Sequence, residues 1–304
     1  MKQLFRNLSN RKKVSNTLSE YQEGLAVIDD EKRRQLQNVL LNMYVDIQKV
    51  CEKNNIIPYL IGGSSLGAIR HKGFIPWDDD LDIGMMRSDY EVFEKIFEKE
   101  LGNQYIISSP NYSAKSKTRF PKIMKKGTIC RELGDNSDPE NCGITIDIFI
   151  LENIPSNLFV RKCKGIYCNL LEFIGGQVSV KENMDSQLKK SLKAEGNLEY
   201  LIRTGIGFMG GCIPAYKWFN MIDKAVQWKE NTGYIGIPTG RKHYFGEILP
   251  ADYFSPPRYV EFCGISAPVF NEVEKYLINL YGEDYMQLPP ENQRERHLIK
   301  ELKF

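Results

Sequence analysis

Between Ile61 and Arg87 the chain reads IGGSSLGAIRHKGFIPWDDDLDIGMMR, and four of the five residues from Asp78 to Asp82 are aspartates. Clustered carboxylates repel one another, and a fold keeps them together where a cation sits between them. Strand periodicity turns the cluster into geometry. Leu81, Ile83 and Met85 share one face, while Asp80 and Asp82 share the other, roughly 6–7 Å apart at Cα. That spacing lets both carboxylates reach one divalent ion or bridge two. A second segment repeats the pattern: Ile144, Ile146, Ile148 and Ile150 line one face, leaving Thr145 and Asp147 on the other. If the two strands are neighbours, Asp147 completes a three-carboxylate site. For Asp78 and Asp79 two readings stay open, as further ligands or as turn residues holding Arg70, His71 or Lys72.

Gly62-Gly63-Ser64-Ser65 follows the apolar segment Ile56–Ile61, and Leu66–Arg70 continues as a helix. Backbone N–H groups and hydroxyls at such a turn bind phosphate. Alone this motif is weak, because many strand-to-helix turns contain glycine. Followed by a DxD strand and a later lone aspartate, it is the ground plan of the nucleotidyltransferase superfamily. The predicted fold is therefore α+β, a polymerase-β-like mixed sheet flanked by helices.

The 304 residues suit one large domain or two moderate ones, and 42% hydrophobic content is ample for a core. With 41 Lys and Arg against 39 Asp and Glu, composition gives no case for a nucleic-acid partner. Seven cysteines without a CxxC pair read as reduced thiols in a cytoplasmic protein. No apolar run follows Met1. Residues 2–13 carry five cations and no acid, readable as a solvated tail or as a weak anchor on an anionic membrane surface. Thr204–Tyr216 is too short and glycine-rich to span a bilayer.

Four segments are expected: a basic tail over 1–29, a catalytic core over 30–155, a helical insertion over 156–230, and a return to the same unit over 231–304. Within them the pattern predicts a helix from Asp29-Asp30 to Asn54-Asn55 and a strand over Ile56–Ile61, interrupted by Pro58. A helix opens at the capping box Ser88-x-x-Glu91 and stops at Gly102. Strands are expected at Tyr105–Ser108, Lys122–Lys125, Thr128–Arg131 and Ile144–Leu151, and a hairpin across Gly264. A last helix runs from an Asn271 cap to Gly282, and the charged tail after it is expected to be helical.

The stretch GGSSLGAIRHKGFIPWDDDLDIGMMRSDY resembles the signature of the LicD family, bacterial phosphocholine transferases related to fukutin-type ribitol-phosphate transferases. The similarity continues in Leu36–Asn54, in TIDIFILENIP and in LINLYGEDYMQLPPENQRERH. Ser64-Ser65 departs from the Thr-Leu of many members but keeps a hydroxyl. The resemblance implies a CDP-linked donor such as CDP-choline, Mg²⁺ or Mn²⁺, a glycan or lipid-linked acceptor, and release of CMP. The acceptor suggests peripheral membrane contact. Asp80 and Asp82 would hold metal on the donor diphosphate, and Asp147 would bind a second metal or take the acceptor proton. Gly62, Gly63, Ser64, Ser65, Arg70 and His71 would contact phosphate, as would Arg119 and Lys122, for which a solvated basic edge is the equal alternative. His297 matches the family motif without an assigned chemistry. The transferred alcohol stays open, and Trp77, Tyr244, Phe245, Tyr253, Phe254 and Tyr259 are choline contacts by residue type only. Two other functions remain: a nucleotidyltransferase that releases pyrophosphate, and a non-catalytic nucleotide-binding protein.

Overall fold

The computed structural model describes Ala26, residues 28–110, 118–133, Asp135, 142–294 and 297–304. The basic segment Lys2–Lys13 lies outside the described residues, as do Glu295 and Arg296 of the RERH motif.

Helix α1 (Asp30–Lys53) starts where Asp29 accepts the Lys32 N–H at 2.8 Å. Asp30 and Glu31 in its first turn suit the positive end of the helix dipole. Leu36, Leu40, Met43, Ile47 and Val50 form its buried stripe. The strand expected from Ile56 shortens to β1 (Tyr59–Leu60), because Pro58 offers no N–H to a ladder. Then follow α2 (Gly62–His71), β2 (Asp82–Met86), α3 (Arg87–Glu100), β3 (Tyr105–Ser108), β4 (Lys122–Lys125), β5 (Ile129–Glu132) and β6 (Thr145–Asn153).

The main sheet runs β1-β2-β6-β4-β3, and β7 (Tyr234–Gly236) and β8 (Ile248–Pro250) extend it from the far end of β6. Only the central pair, β2 and β6, is parallel among the described strands. A parallel pair is covered on both faces. Accordingly Ile83, Met85, Ile146, Ile148 and Leu151 are buried, and α1, α2 and α3 pack against the sheet.

Between Pro155 and β7 lies the helical part: α4 (Leu158–Glu182), α5 (Ser186–Glu195), α6 (Asn197–Gly210) and α7 (Ala215–Val226). It has its own apolar cluster around Cys168, Leu171, Val178, Phe219, Ile222 and Val226. Two ion-pair networks tie it to the sheet. Arg87 at the start of α3 bonds Glu152 of β6 and Asp223 of α7. Arg119 bonds Glu172 of α4 at 2.5 Å, and His243 Nδ1 of α8 (His243–Gly246) meets the same carboxylate at 2.7 Å. After β8 come the hairpin β9 (Arg258–Phe262) and β10 (Ile265–Val269), helix α9 (Val273–Tyr281) and β11 (Ile299–Lys303).

Three local expectations are corrected. Ser88 does not cap α3: the helix begins at Arg87 with Met86 in the cap position, and the Ser88 hydroxyl turns to Asp89. The cap of α9 is Glu272, not Asn271. Among its described residues the tail forms no α-helix: Glu291–Gln293 make one 3-10 turn, and Ile299–Lys303 pairs antiparallel with Ile129–Glu132. A segment this short cannot sustain an isolated helix, whereas an open strand edge satisfies its backbone at once.

Candidate active site

Strand pairing brings the aspartates together. Asp82 opens β2 directly opposite Asp147 of β6, and the Asp147 N–H donates to the Leu81 carbonyl at 3.3 Å. Asp80 precedes the strand, with Leu81 buried between the two half-exposed aspartates. The double glycine lets these carboxylates approach the start of α2. A Cβ on Gly63 would stand 3.0 Å from Asp78 Oδ2, and one on Gly62 would stand 3.5 Å from Asp82 Oδ2. Gly62 also has φ +54°, which favours glycine. The turn is locked from two sides: the Asp82 N–H donates to Ser64 Oγ at 2.9 Å, and the Gly62 N–H donates to the Tyr276 hydroxyl at 3.1 Å.

The cluster is electrostatically loaded. Burial raises the Asp78, Asp80 and Asp82 carboxyls above the ordinary carboxylate range, and the neighbouring aspartates raise them further. Two cationic groups answer this. Lys122 Nζ lies 2.9 and 3.0 Å from the two Asp147 oxygens. Burial acts to lower the Lys122 ammonium, but the Asp147 and Glu132 carboxylates outweigh it, so it stays charged. His297 comes from the far end of the chain. Its Nδ1 is 2.7 Å from Asp79 Oδ1, its backbone N–H donates to Asp79 Oδ2 at 3.2 Å, and its Nε2 is 3.8 Å from Asp80 Oδ2. Burial pulls its pKa down, but the hydrogen bond to Asp79 and the charge of Asp80 carry it well above that of a free imidazole.

His297 should therefore be an imidazolium at pH 7.5 without added metal, while burial and Arg70 keep His71 below the ordinary imidazole range. For a raised histidine, the stabilising contribution is full below its unfolded pKa and disappears as pH rises through the folded one. An NMR titration of the three histidines in EDTA reads this directly. A neutral His297 ring at pH 7.5 would remove the Asp79–His297 ion pair from the site.

The residues fit a divalent metal. One ligand atom each from Asp79, Asp80 and His297 lie within 4.8 Å of one another. Asp147 Oδ1 is buried and outside hydrogen-bonding geometry even with Lys122 beside it. Carboxylate oxygens in this number suit Mg²⁺ or Mn²⁺. A cavity of about 40 Å³ adjoins them, walled by Asp79, Asp80, Thr145, Asp147, Glu132 and His297.

Other predicted residues are placed differently. Ser65 is fully buried, with its hydroxyl enclosed in the interior. Arg70 and His71 lie at the opposite end of α2 from the glycine turn, and Arg70 donates to the carbonyls of Tyr285 and Gln287 at 2.8 and 3.1 Å. Arg119 faces Glu172 and the Thr239 carbonyl. Of the aromatic residues named by type, Tyr244 and Phe254 are buried, and Trp77 nearly so. Glu132 was not legible in advance. It reaches the cavity because β5 carries it there beside β11, a pairing across more than 160 residues that leaves no local pattern.

The mixed sheet, its parallel central pair and the glycine turn at the carboxylates define a nucleotidyltransferase-like fold. Residues 55–131 match the family model described as LicD/FKTN/FKRP, nucleotidyltransferase domain. The chain is 29% identical over 272 residues to the lipopolysaccharide cholinephosphotransferase LicD of Haemophilus influenzae, covering 88% of this chain and 96% of that protein. It is 40% identical over 88 residues to the uncharacterized protein RT0683 of Rickettsia typhi, 28% of this chain and 27% of that one. The chain is thus similar to LicD proteins over most of its length, and residues 55–131 carry the match to the family's nucleotidyltransferase domain.

Proposed function

We propose that the protein is a metal-dependent phosphotransferase that moves a phospho-alcohol, phosphocholine first, from a CDP-linked donor to a hydroxyl of a cell-surface glycan or its lipid-linked precursor, releasing CMP. The observation that carries this reading is the register of β2 with β6, which sets Asp82 against Asp147 beside the Asp78–Asp80 loop. The Haemophilus relative is a cholinephosphotransferase acting on lipopolysaccharide, and it aligns over nearly its whole length.

Asp80, Asp82 and Asp147 would hold Mg²⁺ or Mn²⁺, with Asp79 and His297 adjoining. The bound ion supplies neutralisation of the charge that develops on the oxygen leaving with CMP. Gly63 and Ser64, at the first turn of α2, present N–H groups that have no acceptor within the helix by position, and these orient phosphate oxygens. Lys122 adds a fixed positive charge at Asp147. Asp147 joins the metal or accepts the acceptor hydroxyl's proton.

Incubation with CDP-choline, CDP-ethanolamine, CDP-ribitol and CDP-glycerol, with Mg²⁺ and then with EDTA, tests the reading. CMP release that needs the metal is the expected result. Pyrophosphate released from CTP instead would assign the protein as a true nucleotidyltransferase, and nucleotide binding without turnover would make it a binding protein.

The proposed location is the cytoplasm, with reversible contact at the inner face of the membrane. Among the described residues no helix is long and apolar enough to cross a membrane. The helical part nevertheless exposes Phe159, Ile166, Tyr167 and Leu170 along one side of α4, and Leu198, Leu201, Phe208 and Met209 along one side of α6. The same segment, 156–230, holds eleven Lys and Arg against seven Asp and Glu. Apolar side chains flanked by cations suit an anionic bilayer surface. Co-sedimentation should favour anionic over neutral vesicles at low salt and weaken on Phe159→Ser/Phe208→Ser. Equal binding to both vesicle types, or none, would remove the contact.

A further inference from the structure

A cleft of about 430 Å³ opens against the first turns of α1, and the chemistry above leaves it unused. Arg33, Arg34, Gln37, Trp77 and Arg294 are among its walls. Three arginines thus line one space against a single carboxylate, Asp30, which also belongs to its walls and is already paired with Arg33. Arg33 is pinned there, with its side chain only 8% exposed: Nη1 donates to Asp30 Oδ1 at 2.6 Å and Nη2 to the Ile28 carbonyl at 3.0 Å. Arg294 stacks over the Trp77 ring, 4.3 Å from its centroid. Its Nη1 lies 3.4 Å from Glu291, an exposed partner, and its Nε is buried with no hydrogen-bond partner. Trp77 is itself nearly buried and serves as the platform that holds this guanidinium flat.

Gathered like charges and a buried donor lacking an acceptor are both unfavourable until an anion joins them. The planar fork of arginine matches phosphate, two donors to two oxygens. The volume lies in the ordinary range for small-ligand sites. Position gives the cleft its meaning. Trp77 directly precedes Asp78, and Arg294 is three residues before His297, whose ring reaches Asp79. Gln37 Nε2 donates to the Asp78 carbonyl at 2.8 Å, so the cleft and the carboxylate cluster share a wall.

We propose that this cleft binds a phosphate-bearing part of a substrate whose reacting group lies at the neighbouring carboxylates. The assignment to a substrate rests on the transferase reading; anion binding by the cleft does not. The donor diphosphate reacts at the carboxylates, so the phosphate expected in this cleft is that of a phosphorylated acceptor sugar, and the donor is the other source that the test distinguishes.

Calorimetry on the full chain in EDTA, with pyrophosphate, CDP and glucose 6-phosphate as probes, separates them. In Arg34→Gln/Arg294→Gln, pyrophosphate affinity should fall about tenfold or more, the scale of losing charge-assisted hydrogen bonds. Lys217→Gln, an exposed cation on α7, should change nothing. Arg34→Gln alone, at an exposed position, guards against a folding defect and should give part of the loss. A parallel fall for CDP assigns the donor, and a fall for glucose 6-phosphate with CDP unchanged assigns the acceptor. Pyrophosphate affinity that ignores both arginines overturns the anion site, and an effect on pyrophosphate alone overturns the substrate assignment. Metal-dependent CMP release without arginine-dependent binding would leave the transferase standing and remove the cleft. Arginine-dependent binding without CMP release would do the reverse.

Discussion

Asp82→Asn and Asp147→Asn are each expected to lower CMP release by at least roughly a hundredfold with saturating donor and Mg²⁺, the scale of losing one electrostatic or acid–base group. The two residues stand opposite each other in the parallel pair at the centre of the sheet, where the strand register fixes both carboxylates in place. Asp80→Asn should behave alike. Asp80→Asn and Asp82→Asn should not unfold the metal-free protein, whereas Asp147→Asn also strands the Lys122 ammonium. A carboxyl whose pKa is raised on folding binds its proton more tightly in the native state, so its contribution to stability falls as pH rises from its ordinary range toward the raised value. Asp80 and Asp82 are both raised, by burial first. At neutral pH in EDTA, Asp82→Asn should therefore melt at or above the wild-type temperature, and Mg²⁺ should stabilise wild type more than the variant. Near-wild-type turnover in Asp82→Asn would show that the carboxylates are not the reacting centre, and a lower melting point in EDTA would show that they are structural.

The largest effect on stability is expected at Arg87. Its guanidinium lies between Glu152, almost fully buried, and Asp223, and so joins α3, β6 and α7. Removing one partner from a buried ion network costs about 3–5 kcal/mol, because the remaining charges lose their compensation. Arg87→Ala should lose that much in urea unfolding. The loss should depend on pH. Burial already pushes the Glu152 carboxyl up to about 7 with Arg87 beside it, and without Arg87 it rises further. A raised carboxyl is tolerated while protonated, so the deficit should be greatest above about pH 7 and shrink toward pH 5. Replacing the acids as well, in Arg87→Met/Glu152→Gln/Asp223→Asn, should recover much of the loss. A pH-independent deficit below about 1 kcal/mol would show that the network does not hold the helical part in place.

Much of the core was legible because its signals are local. The apolar stripe of α1, the alternation around Asp80–Met85 and Ile144–Ile150, and the glycine turn at Gly62-Gly63 each follow from residues a few positions apart. Period-two patterning could say that Asp82 and Asp147 lie on polar strand faces. It could not say that β2 and β6 are neighbours, or that they run parallel in that register. That was decided by burying two apolar faces at once. Local motifs also misled: Ser88-x-x-Glu91 has the spacing of a capping box, but the backbone leaving β2 had already started the helix at Arg87.

The sequence by itself determined where the carboxylates gather, in DDDLD beside a glycine-serine turn, and that Asp82 and Asp147 lie on the polar faces of their strands. Tertiary structure alone decided their company. His297 reaches Asp79 from more than 200 residues away, Lys122 neutralises Asp147, and Glu132 enters the cavity on a strand completed by the chain's last residues. It also turned Arg70 away from the carboxylates toward backbone carbonyls, and gathered Arg33, Arg34 and Arg294 around Trp77. The physical reason is the same throughout. Hydrophobic periodicity is written within a segment, but the charge that compensates a buried group is set by whichever segments the packing brings alongside.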